Sequence, residues 1–270
     1  MTSTEFFINM KSIPSKDSVE YDAFFARELE KIKYGVKING VDISGWLYWH
    51  VNHWKMAMDA IDPRNGDIIR KFDNPQLRDN EWVIAEHLKK AEEEKKGLCI
   101  IGSRRLGKSV YASSYSGRSA TIYQGSENVI VGNNKDDLGV ITSLMDKGLL
   151  GLHEHFRFGR ILDDWKKEVA LGFKDKKGTR LEWSKIFIRN TDGGKITEVV
   201  AGTTPKSLIF DEIGKADILD VFNGAKPSFA TPYGWRCVPI LIGTGGSFEK
   251  GRDAEKIFND PDSYNMLVVE

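Results

Sequence analysis

The feature that most constrains this chain is an eight-residue run in which glycines, a lysine and a hydroxyl follow a short apolar stretch. Residues 102–109 read Gly-Ser-Arg-Arg-Leu-Gly-Lys-Ser and match the pattern G-x-x-x-x-G-K-[ST] in full. An apolar stretch, 98–101, precedes the run, and a helix-compatible stretch begins at Lys108. In such a strand–loop–helix unit, backbone N–H groups and the positive end of the helix dipole converge on an anion. We therefore expect an α/β protein that binds nucleotide phosphates.

Each part of this phosphate loop has a predicted role. Lys108 is predicted to reach the β- and γ-phosphates of ATP, and the Ser109 hydroxyl to hold Mg²⁺. Arg104 and Arg105 are unusual in this loop, because an ordinary phosphate loop needs no charge at those positions. An arginine there would clamp the γ-phosphate or pair with an acid; the alternative is that both side chains point to solvent. The predicted nucleotide-binding residues of the loop are Gly102, Ser103, Arg104, Arg105, Leu106, Gly107, Lys108 and Ser109.

A second apolar stretch ends in two carboxylates. Residues 207–212 read Ser-Leu-Ile-Phe-Asp-Glu. We predict that Asp211 helps Ser109 to hold Mg²⁺ and that Glu212 acts as the general base that orients the attacking water. This acidic pair favours an ATPase that hydrolyses over a kinase, with ATP and Mg²⁺ as the cofactors.

A third apolar stretch, 238–243, runs into Thr244 and two glycines. A hydroxyl on the end of a strand beside the acidic pair would sense the γ-phosphate; the alternative is a glycine-rich turn. With 98–101, 128–132 and 207–211, this stretch predicts parallel strands that are buried on both faces. The run 180–190 is predicted to form an antiparallel hairpin with 195–202.

The predicted fold is a phosphate-loop NTPase (RecA/ASCE-like) core, with a mainly parallel sheet flanked by helices. We expect residues 1–75 to form a helical and hairpin extension packed on the core, and residues 76–270 to form the core itself.

Charge and composition exclude several classes of protein. Lys plus Arg and Asp plus Glu are 39 each, so the formal net charge is zero, and a nucleic acid would have to meet a local basic patch. The densest basic segments are 166–167 and 174–180, which would contact a DNA backbone or, as we favour, form a solvated turn. The two cysteines lie in apolar runs, and no apolar run approaches the roughly 20 residues of a membrane span. We expect neither a membrane nor a secreted protein.

Taken together, these motifs resemble those of the large terminases of bacteriophages, the ATPases that pump DNA into procapsids. The loop is similar to the family's Ser-Arg-Gln-x-Gly-Lys-Thr/Ser, and residues 77–81, Leu-Arg-Asp-Asn-Glu, resemble its adenine-contacting Leu-Arg-Asp-x-Gln. The resemblance implies that Arg78 and Glu81 lie at the adenine, although Glu81 replaces a glutamine. It also implies that Thr244 couples hydrolysis to movement, while Arg104 is expected to act in catalysis by sensing or clamping the γ-phosphate.

The same resemblance implies partners and a cellular place. They are double-stranded DNA, a portal protein, a small terminase subunit and further copies in a ring, in the host cell cytoplasm. Each site would be completed by an arginine, for which the candidates in this sequence are Arg157, Arg160, Arg180 and Arg189. Only residues 247–270 follow the last motif, too few for the family's C-terminal nuclease, so we expect no DNA cleavage. Two alternatives stay open: a helicase-like nucleic-acid remodeller and a nucleotide-gated assembly module, against which Glu212 argues.

Overall fold

The fold is described from a computed structural model that covers residues 13–75, 77–103, 106–191, 200–215, 218–244 and 251–269. Arg104, Arg105 and the glycines after Thr244 lie outside these ranges, as does most of the run 195–202. The helices are α1 (Glu20–Tyr34), α2 (Gly45–Asn52), α3 (Asp79–Glu94), α4 (Lys108–Ile122), α5 (Lys135–Leu150), α6 (Ile218–Phe229) and α7 (Arg252–Asn259).

Fourteen strands are described. They are β1 (Val36–Ile38), β2 (Val41–Ile43), β3 (Met56–Ile61), β4 (Ile68–Asp73), β5 (Gly97–Ile101), β6 (Ser126–Gly132), β7 (Gly159–Asp164), β8 (Glu168–Lys174), β9 (Arg180–Asn190), β10 (Pro205–Phe210), β11 (Ala230–Thr231), β12 (Gly234–Trp235), β13 (Pro239–Gly243) and β14 (Met266–Val269).

The central sheet has eight strands in the order β14-β5-β13-β10-β6-β9-β8-β7. The six strands from β14 to β9 are parallel, and β8 and β7 extend the sheet in antiparallel fashion. The chain is therefore an α/β protein with a mainly parallel sheet, as the apolar runs predict. The predicted strand 180–190 is confirmed as β9, but its antiparallel partner among the described residues is β8.

Alternating residues of the parallel strands enter two apolar layers. In β5, Leu98 and Ile100 belong to a core shared with α1 to α5, whereas Cys99 belongs to a second core with α6 and α7. Because both faces of these strands are covered by helices, the strands read as continuous apolar runs.

The chain before β5 packs on the first of these layers. Arg118 of α4 donates from Nε to the Ile32 carbonyl at 2.9 Å and from Nη2 to the Lys33 carbonyl at 3.0 Å. Trp49 and Trp54 are fully buried. Gly117 and Gly148 leave room for the Trp54 indole, because a Cβ on either glycine would lie 2.3 or 2.0 Å from it. The division of the chain at residue 75 remains a prediction.

No described helix is both long enough and apolar enough to cross a membrane.

Candidate functional site

Three neighbouring strands deliver the predicted site residues to one edge of the sheet. The phosphate loop follows β5, Thr244 follows β13, and Asp211 follows β10. These strands are adjacent and parallel, so their carboxyl ends meet at the same edge. The Gly102 amide donates to the Gly243 carbonyl at 3.2 Å, which ties the start of the loop to the strand beside it. The edge at which open α/β sheets bind ligands thus holds all three motifs.

The side chain of Lys108 binds the backbone at the start of the phosphate loop. Nζ of Lys108 donates to the carbonyls of Gly102 at 2.8 Å and Ser103 at 2.7 Å. Lys108 is buried, which lowers the pKa of its ammonium, while the charges of Glu212 and Asp211 act in the opposite direction. These carboxylates are therefore near enough to affect the lysine. Ser109 lies half-buried in the first turn of α4.

The loop enters α4 through a left-handed residue. Gly107 has φ of +82°, a conformation that glycine adopts without the steric cost of a Cβ. The Tyr111 ring lies against it, 3.3 Å from where a Cβ would stand.

A contact that the sequence did not reveal holds the loop from outside. Nδ2 of Asn80, in the first turn of α3, donates to the Leu106 carbonyl at 3.2 Å and to the Tyr111 hydroxyl at 2.8 Å. The segment that resembles the adenine-contacting stretch thus touches the phosphate loop through Asn80. Asparagine is favoured at helix N-caps and in turns, but Asn80 is the second residue of α3 and its partner is 26 residues away, so no local signal pointed to this contact.

Arg78 and Glu81 lie at the start of α3. The Arg78 amide donates to Oε2 of Glu81 at 3.1 Å, and the Glu81 amide donates to the Arg78 carbonyl at 3.0 Å. This reciprocal pair caps the helix. Burial raises the pKa of the Glu81 carboxyl to about 7, against the lowering effects of Arg78 and Tyr111. The Glu81 carboxyl therefore has a structural partner, and its predicted contact with adenine stays a prediction.

The acidic pair differs in its surroundings. Asp211 is buried, and its amide donates to the Val131 carbonyl of β6 at 2.8 Å, which continues the parallel ladder. Glu212 leaves the ladder with φ of +54°. Oε2 of Glu212 accepts from the Thr244 hydroxyl at 3.4 Å and lies 3.7 Å from Nζ of Lys215. The predicted base and the predicted coupling residue are therefore in contact.

The four candidate arginines separate by position. Arg160 and Arg180 lie at the starts of β7 and β9, the ends that are remote from the phosphate loop, and Arg157 lies just before β7. Arg160 is paired with Asp146 and Asp163. Arg189 is in register with Val131, at the same edge as Asp211. Its Nη1 donates to the Lys167 carbonyl at 3.0 Å.

The two basic segments do not form one patch. Lys166 and Lys167 form the turn before β8, and residues 175–179 form the turn after it, so the segments lie at opposite ends of a strand. Asp175 accepts from the amides of Lys177 and Thr179 at 2.8 and 2.7 Å, as in an ordinary exposed turn.

The donor set suits a nucleotide with its magnesium ion. Mg²⁺ prefers oxygen ligands and is commonly held by one or two protein groups together with substrate phosphates. Ser109 and Asp211 supply such oxygens. Among the described residues, no group of three or more His, Cys, Asp or Glu side chains is placed to hold a metal without a ligand's help. Lys108 and the N–H groups at the start of α4 are donors of the kind that suit phosphate oxygens.

Comparison with known proteins gives matches of fold. No family model matches this sequence, and no curated protein matches it either. The large terminase of bacteriophage HK97 matches with a TM-score of 0.54 and 13% identity, over 73% of this chain and 39% of that one. The large terminase ATPase domain of Thermus phage P74-26 matches with a TM-score of 0.44 and 19% identity, over 54% of this chain and 58% of that one. This chain thus spans about two fifths of the HK97 protein's length.

Proposed function

We propose that this chain is the ATPase motor domain of a viral DNA-packaging terminase, which hydrolyses ATP to move double-stranded DNA into a procapsid. The observation that carries the proposal is the convergence of the phosphate loop, Thr244 and the acidic pair on three adjacent parallel strands. The fold likeness to the HK97 large terminase supports the choice among phosphate-loop ATPases.

In this proposal the chain's own groups position the triphosphate. Lys108 exchanges its two carbonyl partners for phosphate oxygens, and the amides of the loop and of the first turn of α4 donate to the same anion. Ser109 and Asp211 hold Mg²⁺, which neutralises charge on the phosphates when it is bound. Arg104, Arg105, Arg78 and Glu81 keep the nucleotide-binding roles predicted from the sequence.

Glu212 is the proposed general base. A water oxygen bonds to the γ-phosphorus, the bond from phosphorus to the β–γ bridging oxygen breaks, and the water's proton passes to the Glu212 carboxylate; ADP and phosphate leave. A protonated carboxyl accepts hydrogen bonds less strongly than a carboxylate. The bond from Thr244 would therefore weaken at this step and carry the signal to β13.

The proposed partners are duplex DNA, a portal protein, a small terminase subunit and neighbouring copies in a ring, in the host cytoplasm. Arg189 is the preferred candidate for the arginine that completes an ATP site, because it lies at the edge of the sheet that holds Asp211.

The test is ATP hydrolysis by the purified chain with and without linear duplex DNA. We expect Lys108→Ala to abolish nucleotide binding and hydrolysis. Glu212→Gln should keep ATP binding and lose hydrolysis by a factor of about 10²–10⁴, as for loss of a general base. The matched control is Glu182→Gln, which removes a carboxylate at the opposite edge of the sheet and should hydrolyse normally.

The outcomes separate the alternatives. Stimulation of turnover by duplex DNA is expected of a translocating motor. Undiminished hydrolysis in Glu212→Gln would refute the assigned base. If Glu212→Gln assembles in the presence of ATP as fully as the parent chain and needs no hydrolysis to function, the chain is a nucleotide-gated assembly module instead.

A further inference from the structure

A cavity of about 220 Å³ lies at the amino edge of the sheet, away from the phosphate loop. It is lined by the last turns of α1 and α3, by the second half of α4 and by the segments that begin β10 and β13. The first residue of α4 that lines the cavity, Tyr115, comes seven residues after Lys108, so roughly 10 Å of helix, at 1.5 Å per residue, separates it from the nucleotide-binding end. The cavity is therefore a separate place in the fold.

The lining is strongly basic. Five cationic side chains contribute to it, against the single carboxylate of Glu92; the cations are Lys33, Lys95, Arg118, Lys206 and Arg236. The whole chain has zero formal net charge, so an excess of four positive charges around one small cavity is a local concentration. Like charges held together repel one another unless an anion sits among them.

Two of these cations have structural partners. Arg118 is buried and donates to the carbonyls of Ile32 and Lys33 at the end of α1, with Nη1 only 3.8 Å from Glu92. Lys95 donates to the Tyr233 carbonyl at 3.2 Å. The negative ends of helix dipoles attract cations, which accounts for these two positions.

Lys206 and Arg236 are not explained in this way. Lys206 is the exposed second residue of β10, and Arg236 is exposed just before β13; in the part of the chain that the structure describes, neither side chain has an ion-pair partner. Nζ of Lys206 lies 4.5 Å from the centre of the Tyr123 ring, so an aromatic face, not a carboxylate, contacts the ammonium. These two side chains, with Lys33, supply positive charge that no described acid neutralises.

We propose that this cavity is a second anion site that binds a phosphate group. Its volume is below the roughly 300–1,000 Å³ of pockets for drug-sized ligands, so it suits a single phosphate. A guanidinium such as that of Arg236 binds phosphate oxygens in pairs, and lysines add point charges. The phosphate is either free inorganic phosphate or a phosphodiester of a nucleic-acid backbone. The inference does not depend on the proposed ATPase activity.

The probe is inorganic phosphate, titrated calorimetrically into the full chain carrying Lys108→Ala, so that the phosphate loop does not contribute. We expect saturable binding at one site. Adding Arg236→Gln and Lys206→Gln should weaken it at least tenfold. Adding Lys176→Gln and Lys177→Gln, which remove the same charge from the exposed turn after β8, should change it less than twofold.

A second arm distinguishes the two sources. With linear duplex DNA, a phosphodiester ligand predicts that Arg236→Gln with Lys206→Gln weakens binding and lowers the slope of log K against log salt by up to about 1.8, at about 0.9 per phosphate contact. A free-phosphate ligand predicts unchanged DNA binding beside the tenfold loss for phosphate. The proposal would be overturned if the protein carrying Arg236→Gln and Lys206→Gln bound phosphate as tightly as its parent while the two had equal midpoints of thermal unfolding. A titration that never saturates would also overturn it.

Discussion

Glu212 occupies a left-handed backbone conformation, φ +54°, that glycine adopts without penalty and glutamate does not. The residue leaves β10 at this angle, and its carboxylate meets Thr244. Strain of this kind persists where surrounding structure imposes it, often at functional sites. We therefore predict that Glu212→Gly stabilises the fold relative to Glu212→Gln, although both variants lose the carboxylate.

The magnitude follows from two opposing effects. A residue with a Cβ in the left-handed region costs about 1–2 kcal/mol. Glycine returns roughly 0.5–1 kcal/mol of this through its greater freedom in the unfolded chain. The hydrogen bond from Thr244, 3.4 Å long, is too weak to change the sign. The net gain is about 1 kcal/mol, which raises the midpoint of thermal unfolding by about 2–4 °C for a chain of this size.

The assay is thermal unfolding followed by circular dichroism, with the two variants compared at one concentration. Lys95 supplies a matched control, because it also has φ of +54° and ends helix α3 on the exposed surface. The midpoint of thermal unfolding of Lys95→Gly should exceed that of Lys95→Gln by a similar margin. If Glu212→Gly melts no higher than Glu212→Gln while the Lys95 pair behaves as expected, the reasoning on backbone strain at Glu212 is refuted.

Three further predictions concern the neighbourhood of the site and the core. Gly148→Ala would place a Cβ 2.0 Å from the Trp54 indole, so overpacking should lower the free energy of unfolding by about 1–3 kcal/mol in urea titrations; an unchanged midpoint would contradict this packing. Asn80→Ala removes the hydrogen bonds to Leu106 and Tyr111, so the phosphate loop should lose about 1 kcal/mol of support. The KM for ATP should rise about fivefold with kcat nearly unchanged, and equal KM values in the variant and the parent protein would exclude this support of the loop. The pKa of Glu81 is raised to about 7, so the folded chain binds a proton that the unfolded chain has lost. The stability of the parent protein relative to Glu81→Gln should therefore fall as pH rises from about 4.5 to 7. Parallel pH profiles of the two unfolding midpoints would count against a raised pKa at Glu81.

Much of the fold was predictable because its signals are local. Strands β5, β6, β10 and β13 are short apolar runs, and such runs identify strands buried on both faces without knowledge of their neighbours. The phosphate loop is likewise a local unit, in which glycine placement and the start of a helix are adjacent in the chain.

The pairing of β9 was not predictable in the same way. Its alternating pattern indicates a strand with differing faces, but many segments in a long chain can satisfy that pattern. The structure pairs it with β6 in parallel and β8 in antiparallel fashion. Residues 195–202, the partner expected from the sequence, fall largely outside the described ranges.

The sequence by itself determined which chemical groups this protein carries and in which local units: a phosphate loop that contains Lys108, a strand that Asp211 follows, and a hydroxyl at Thr244. Their meeting was decided only by the tertiary structure, because strand order in a parallel sheet depends on long-range packing that no local pattern encodes. The order β5-β13-β10 sets Thr244 against Glu212, and the docking of α3 sets Asn80 against Leu106. The basic cavity exists for the same reason, since its five cations come from segments as far apart as Lys33 and Arg236, which only the packed layers bring together.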